Sequence, residues 1–200
     1  MGKPLSGVRV LEMGTLIAGP FCTRLLADFG AEVIKIEPPG DGDPLRKWGQ
    51  AVKDGKSLWW LVQSRNKKCI TLNLREKEGQ DIARKLVAKV DVLVENFRPG
   101  RMEKWGLNYE NLRNVNPDLI MVRISGFGQT GPYRDKAGFG NIAESMGGLR
   151  YITGYPDRPP PRVGIALGDA LAAMFGAMGA LMALYHRDVR GGGGQWIDVA

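Results

Sequence analysis

Asp169 is the residue best placed to do chemistry. It follows Gly168 and opens a run of helix-forming residues from Ala170 to Tyr185, and across 164–185 it is the only charge. The plain role for an aspartate there is that of an N-cap, its carboxylate accepting backbone N–H bonds. The same position also suits a nucleophile. A carboxylate at the head of an apolar helix is partly desolvated, held by the positive end of the macrodipole and kept ionised, ready for an activated acyl group. Other chemistries lack their residues. One histidine, His186, cannot build a multi-histidine metal site or a histidine relay. The two cysteines, Cys22 and Cys69, have no CxxC spacing, and the polar opening Met1-Gly2-Lys3-Pro4 does not read as a secretory leader. A reducing, cytoplasmic setting is therefore expected.

The elements that must position Asp169 alternate regularly. Val8 to Met13 reads as a strand, Gly14 and Gly19 mark the turn, a helix runs from about Pro20 to Phe29 and stops at Gly30, and Glu32 to Glu37 is a second strand. This βαβ unit predicts parallel strands and a right-handed crossover. Pro38 to Pro44 forces a loop. The alternation resumes with a strand at Cys69–Leu74, an amphipathic helix at Glu76–Ala88 and a strand at Asp91–Glu95. Short helices are expected at Met102–Trp105 and Tyr109–Asn114, then a strand at Leu119–Ile124 closed by the glycine-rich Ser125 to Pro132. The fold class is α/β, a Rossmann-like, mostly parallel sheet flanked by helices. Gly14, Asn96 and the Gly126–Pro132 loop should lie together at the carboxyl ends of the strands, where such folds bind ligands. The two glycines do not make a GxGxxG fingerprint, so a dinucleotide has little support.

Composition narrows the partners. The 200 residues carry 28 Lys+Arg against 21 Asp+Glu, a net charge of +7, with 44% hydrophobic and 24% charged residues. That balance excludes disorder, collagen and a disulfide-stapled miniprotein. The basic residues are dispersed, with no zinc finger, helix-turn-helix or RNP pattern, so no nucleic acid is expected. Residues 164–185 are long enough to span a membrane. The stripe Gly168, Ala172, Gly176, Ala180 fits close backbone approach in lipid or in protein. The single acidic residue, the missing aromatic belts and the surrounding sheet pattern favour a buried, closely packed helix and no membrane.

Taken together, the motifs resemble the family III CoA-transferases, the group that includes formyl-CoA transferase and the carnitine CoA-transferases and is related to α-methylacyl-CoA racemase. The resemblance rests on Pro4 to Val8, Ala18-Gly19-Pro20-Phe21, Leu26 to Glu37, Arg65-Asn66-Lys67-Lys68, Asp91 to Gly100, Gly126 to Pro132, and Gly168-Asp169. It implies that residues 1–200 are the amino-terminal part of the family's large CoA-binding and catalytic domain, with the second half of the family fold absent. It implies ping-pong CoA transfer through Asp169, with acyl-CoA and a carboxylic acid as substrates, no tightly bound cofactor and no metal. A homodimer of interlocked chains is the implied assembly. The family's CoA-contacting positions fall on Ile17, Ala18, Leu72, Asn73, Leu74, Arg75, Asn96, Phe97, Arg98, Lys104, Ala137, Gly138, Phe139 and Gly140. Arg and Lys among these offer phosphates charge and several donors.

Departures from the pattern bear on substrate. Formyl-CoA transferases have glutamine where Ile17 stands and arginine where Pro38 stands, which puts formate and oxalate in doubt. Many relatives handle dicarboxylates, and Gln129 and Arg162 are candidates to meet such an acid. The racemase branch pairs its aspartate with a histidine that would fall at Phe139, which cannot exchange a proton. His186 lies 17 residues beyond Asp169, roughly 25 Å along one helix. It is expected to be an exposed helix-end residue. The alternatives to a transferase are that racemase chemistry, a CoA-binding chain without catalysis, and a membrane protein.

Overall fold

The computed structural model describes residues 2–50 and 52–200. The elements run β1 (Arg9–Glu12), α1 (Ala18–Asp28), β2 (Glu32–Glu37), a 3-10 turn (Pro44–Lys47), β3 (Val52–Lys53), β4 (Lys56–Ser57), α2 (Leu58–Gln63), β5 (Lys67–Thr71) and α3 (Lys77–Val87). They continue with β6 (Val92–Glu95), α4 (Arg101–Lys104), α5 (Tyr109–Arg113), β7 (Ile120–Ile124), α6 (Gly140–Met146), α7 (Leu167–Arg190) and β8 (Gln195–Val199).

Six strands pair in parallel in the order β5-β2-β1-β6-β7-β8, and β3 with β4 forms a separate small hairpin. Chain order reverses between β1 and β6. The loops that follow these two strands diverge there and leave a crevice at the carboxyl end of the sheet. Both faces of the sheet are covered, so its central strands are continuous apolar runs rather than alternating ones. One core packs Val10, Val33, Val92, Val94, Val122 and Ile124 against α1 and α7. The other packs Leu11, Leu93, Leu119 and Met121 against α3, α4 and α5.

Several features differ from expectation. β5 begins two residues early, at Lys67, because the Lys67 and Lys35 side chains meet a buried carboxylate described below. The segment after the Pro38–Pro44 loop, for which the sequence suggested no element, holds a 3-10 turn, the hairpin and α2. α7 starts at Leu167 with Ala166 as N-cap, so Asp169 stands in the first turn and is not the cap. The same helix buries only one side. Gly176 faces Cys22, Val122 and Ile124, and Ala173, Ala177, Ala180 and Ala183 are buried, whereas Phe175, Met182 and Tyr185 are well over half exposed. A helix lying on a sheet can cover only the stripe it turns toward it, which is why the small-residue row is inside and the larger apolar row is outside. By length and composition α7 is apolar enough to cross a membrane. His186 is exposed near its carboxyl end, as expected.

Both thiols sit beside carboxylates. Burial and Glu12 push the Cys22 thiol up to about 12, and burial with Glu37 pushes Cys69 up to about 11. The thiolate is the reactive form, so native-state alkylation by iodoacetamide at pH 8 should run on the order of 100-fold slower than for an unperturbed thiol. Mass spectrometry of the alkylated protein, with and without urea, measures this; rapid native labelling would contradict the placement of both residues.

Candidate active site

The crevice at the β1/β6 switch point is a cleft of about 370 Å³. Thr15 and Leu16 line it from the loop after β1, Ala18 from the start of α1, and Asn96 to Pro99 with Arg101 from the segment after β6. Ile124, Ser125 and Gly126 come from β7 and its loop, and residues 136–140 with Ala143 from the approach to α6. Gly168, Asp169 and Ala172 close it from the first turns of α7.

The loop after β1 is held by an ion cluster buried under it. The Glu12 carboxylate takes Lys35 Nζ at 2.7 Å on one oxygen, and Lys67 Nζ at 2.8 Å and the Thr23 hydroxyl at 2.5 Å on the other. Lys35 Nζ also donates to the Gly14 carbonyl at 2.8 Å and lies 2.8 Å from Asp43. Asp43 in turn accepts the Leu16 N–H at 3.1 Å, where Leu16 has the left-handed φ of 63°. All four charged side chains are almost fully buried. Burial alone would raise Glu12, but the two lysines bring it below its ordinary value. Burial would likewise depress Lys35, but Glu12 and Asp43 hold it above. Burial prevails at Lys67, which stays low. Such a left-handed leucine is costly on its own and persists because Asp43 and Lys35 hold the loop from beneath.

Asn96 clasps the same loop from the other side. Its Oδ1 accepts the Thr15 N–H at 2.8 Å and its Nδ2 donates to the Thr15 carbonyl at 2.9 Å, so both ends of the amide are used within the protein. A Cβ at Gly14 would lie 2.7 Å from Asn96 Oδ1, and one at Gly19 3.0 Å away, which explains both turn glycines by close approach. The segment after β6 is fixed by Glu95, which accepts the Phe97 N–H at 2.7 Å and the Arg123 Nε–H at 2.8 Å. Burial pushes Glu95 up to about 7 against the pull of Arg123.

Glycines build the opposite wall. A Cβ on Gly126 would lie 2.5 Å from Gly138 Cα, and one on Gly168 2.8 Å from Gly140 Cα, so the loop after β7, the approach to α6 and the head of α7 meet backbone to backbone. Asp169 rests against that contact. A Cβ on Gly140 would come within 2.7 Å of its Oδ2 and 3.0 Å of its backbone N. Burial pushes the Asp169 carboxyl above its ordinary value, its own backbone N–H opposes this, Glu144 adds to the rise and Arg162 works against it. Asp169 is therefore harder to ionise than an exposed aspartate, contrary to the expectation that the helix dipole would simply keep it charged. Arg98, Arg101 and Lys136 contribute positive charge to the cleft.

Nine expected site residues thus come together: Ala18, Asn96, Phe97, Arg98, Ala137, Gly138, Phe139, Gly140 and Asp169. The other six do not line the cleft. Ile17 is buried with Leu45 and Trp60. Leu74 belongs to the second core, with Leu72 packed against it. Asn73 accepts the Arg75 N–H at 3.1 Å. Residues 72–75 follow β5, an edge strand separated from β1 by β2, which puts them two strands from the switch point. Arg75 and Lys104 are exposed. Gln129 is buried and lines a different cleft, with Arg123 and Arg134. Thr15, Leu16, Arg101 and Lys136 were not singled out in sequence, although each is one to three residues from one that was.

Comparison with known proteins places the chain. The model of CoA-transferase family III matches residues 5–200. The chain belongs to CoA-transferase family III. Over 197 residues this family III chain is 62% identical to succinyl-CoA–D-citramalate CoA-transferase of Chloroflexus aurantiacus, covering 98% of the chain and 49% of that relative. It is 44% identical over 196 residues to succinyl-CoA:glutarate CoA-transferase of Mus musculus, covering 98% of the chain and 45% of that relative. The crystal structure of a CaiB/BaiF family protein from Brucella suis superposes with a TM-score of 0.94 at 40% identity, covering 100% of the chain and 53% of that structure. The family III chain spans about half the length of the relatives it matches.

Proposed function

We propose that this chain carries the nucleophilic half of a CoA-transferase that moves CoA from succinyl-CoA to a short dicarboxylic acid. The observation that carries the reading is Asp169, half-buried at the head of α7 and opening onto the switch-point cleft among Arg98, Arg101 and Lys136. An Asp169 oxygen attacks the thioester carbonyl, the C–S bond breaks and CoA leaves as thiolate, giving an aspartyl-acyl anhydride. The thiolate attacks the aspartyl carbonyl, the donor acid departs as carboxylate, and an aspartyl-CoA thioester remains. The acceptor carboxylate then displaces the thiolate, and the thiolate attacks the acceptor's carbonyl, which releases the new acyl-CoA and free Asp169. A thioester is activated enough for a carboxylate nucleophile, and a carboxylate already held and partly dehydrated has less solvent to reorganise.

The donor and acceptor classes draw support from the relatives named for succinyl-CoA and for citramalate or glutarate. The transferase reading is favoured over a racemase because Phe139, which cannot exchange a proton, lines the cleft and His186 lies near the far end of α7. A homodimer in the cytoplasm goes with this reading.

The test is covalent trapping in the longest polypeptide that carries this sequence. Incubated with succinyl-CoA and hydroxylamine, Asp169 should become a hydroxamate located by peptide mass spectrometry, and Asp169→Ala should show none. An Asp169 left unmodified by succinyl-CoA, in protein that still binds CoA, would mean a binding chain without this chemistry.

A further inference from the structure

Glu144 stands one turn after Gly140 on α6, so both face the head of α7. Its side chain is almost fully buried. One oxygen accepts the Gly168 N–H at 3.2 Å, which caps α7 from a residue 24 positions away where Ala166 offers no side-chain cap. The other oxygen is buried and has no hydrogen-bond partner among the described residues. Asp169 is the next residue after Gly168, and its carboxylate is seated on the Gly140 backbone. Two carboxyl groups therefore converge on one helix turn, one open to the cleft and one sealed beneath it.

We infer that Glu144 is a positioning residue for Asp169, capping the first turn of α7 with one oxygen and setting its carboxyl group, sealed beneath the cleft, against the Asp169 carboxyl. The inference rests on Asp169 being the nucleophile. The unpartnered oxygen is what separates this role from simple capping, because the cap uses only one oxygen of the carboxyl group. Conversion of Asp169 to an anhydride or thioester removes its charge, so repulsion present before acylation is absent after it, which favours the forward step. The other charged groups that face Asp169 are Arg162, in the segment before α7, Lys136, on the approach to α6, and Arg98 and Arg101, across the cleft. All are cations and oppose Glu144, which leaves Glu144 as the acidic neighbour that raises Asp169.

Glu144→Gln decides the matter, because glutamine keeps an oxygen for the Gly168 N–H and loses the charge. Two profiles against pH are read in parent and variant: labelling of Asp169 by a water-soluble carbodiimide with an amine, which reports its protonation whether or not CoA is transferred, and hydroxamate formation from succinyl-CoA. In the variant the carbodiimide profile should move to lower pH by about 0.5–1, as expected for removing a nearby like charge. Hydroxamate formation above that range should slow several-fold in its maximal rate, with the succinyl-CoA concentration at half-rate unchanged. Coincident carbodiimide profiles would overturn the inference and leave the nucleophile assignment standing. Carbodiimide profiles that separate while neither protein forms a hydroxamate would uphold the electrostatic pairing and overturn the transfer reading instead. Glu144→Ala, which removes the cap as well, should lower the unfolding midpoint where Glu144→Gln does not.

Discussion

Replacing Lys35 with methionine should lower the stability of the folded chain by about 3–5 kcal/mol, the usual cost of removing one partner from a buried ion pair. Among the described residues Lys35 is the cation shared by Glu12 and Asp43, and it also donates to the Gly14 carbonyl. Without it Glu12 keeps Lys67 and Thr23, but Asp43 loses the one ion-pair partner it has among the described residues and remains buried. Against a total stability of roughly 5–15 kcal/mol for a domain, that is a large fraction. Urea unfolding followed by circular dichroism should show a markedly lower midpoint with an unchanged slope. The control is Lys47→Met, which breaks an ion pair with Asp41 at two exposed side chains and should leave the midpoint where it was. Equal effects of the two substitutions would mean that the cluster under the loop does not hold it.

The second large effect is kinetic. Gly140→Ala should slow acylation of Asp169 by about 100-fold, the scale associated with displacing a reacting group by about 1 Å. The added methyl would lie 2.7 Å from Asp169 Oδ2, closer than real Cβ atoms come, and 3.0 Å from Asp169 N, a tight contact with backbone, so the carboxylate must move from its seat. Gly140 itself opens a helix, where alanine is at no conformational disadvantage, so α6 should form normally. Hydroxamate formation from succinyl-CoA, compared at equal folded fraction, checks this. A variant that acylates at the parent rate would show that Asp169 does not depend on its seat against α6.

Much of this was legible along the chain, for definite reasons. Val10-Leu11, Val33-Ile34, Val92-Leu93-Val94 and Ile120-Met121-Val122 are short apolar runs bounded by turns, and the helices between them leave little choice but a parallel sheet. The position of Asn96 and of the glycine loop at the ligand end follows from that alternation alone. The cluster of Glu12, Lys35, Asp43 and Lys67 was not legible, because charged residues inside strands usually face solvent, three of these meet through strand pairing across up to 55 positions, and Asp43 joins them from the turn after β2. The start of α7 was misjudged for a similar cause. Asp169 has the right residue type for a cap, but the helix takes its cap from Glu144, which no local pattern connects to it. Asn96 also proved to spend its whole amide on Thr15, which spacing could not foretell.

The contacts among Gly126, Gly138, Gly140 and Gly168 have a consequence for how such a site can diversify. Where three segments touch through bare backbone, an added carbon at Gly126, Gly138 or Gly168 meets main chain first, and one at Gly140 meets both the Asp169 carboxylate and its backbone N. The opposite rim is built of side chains, with Leu16, Phe97, Arg98 and Arg101 on segments anchored from below by Lys35 and Glu95. One wall of the cleft thus has no room for a larger side chain while the other already presents side chains to it, so a change in what the cleft admits falls on the rim.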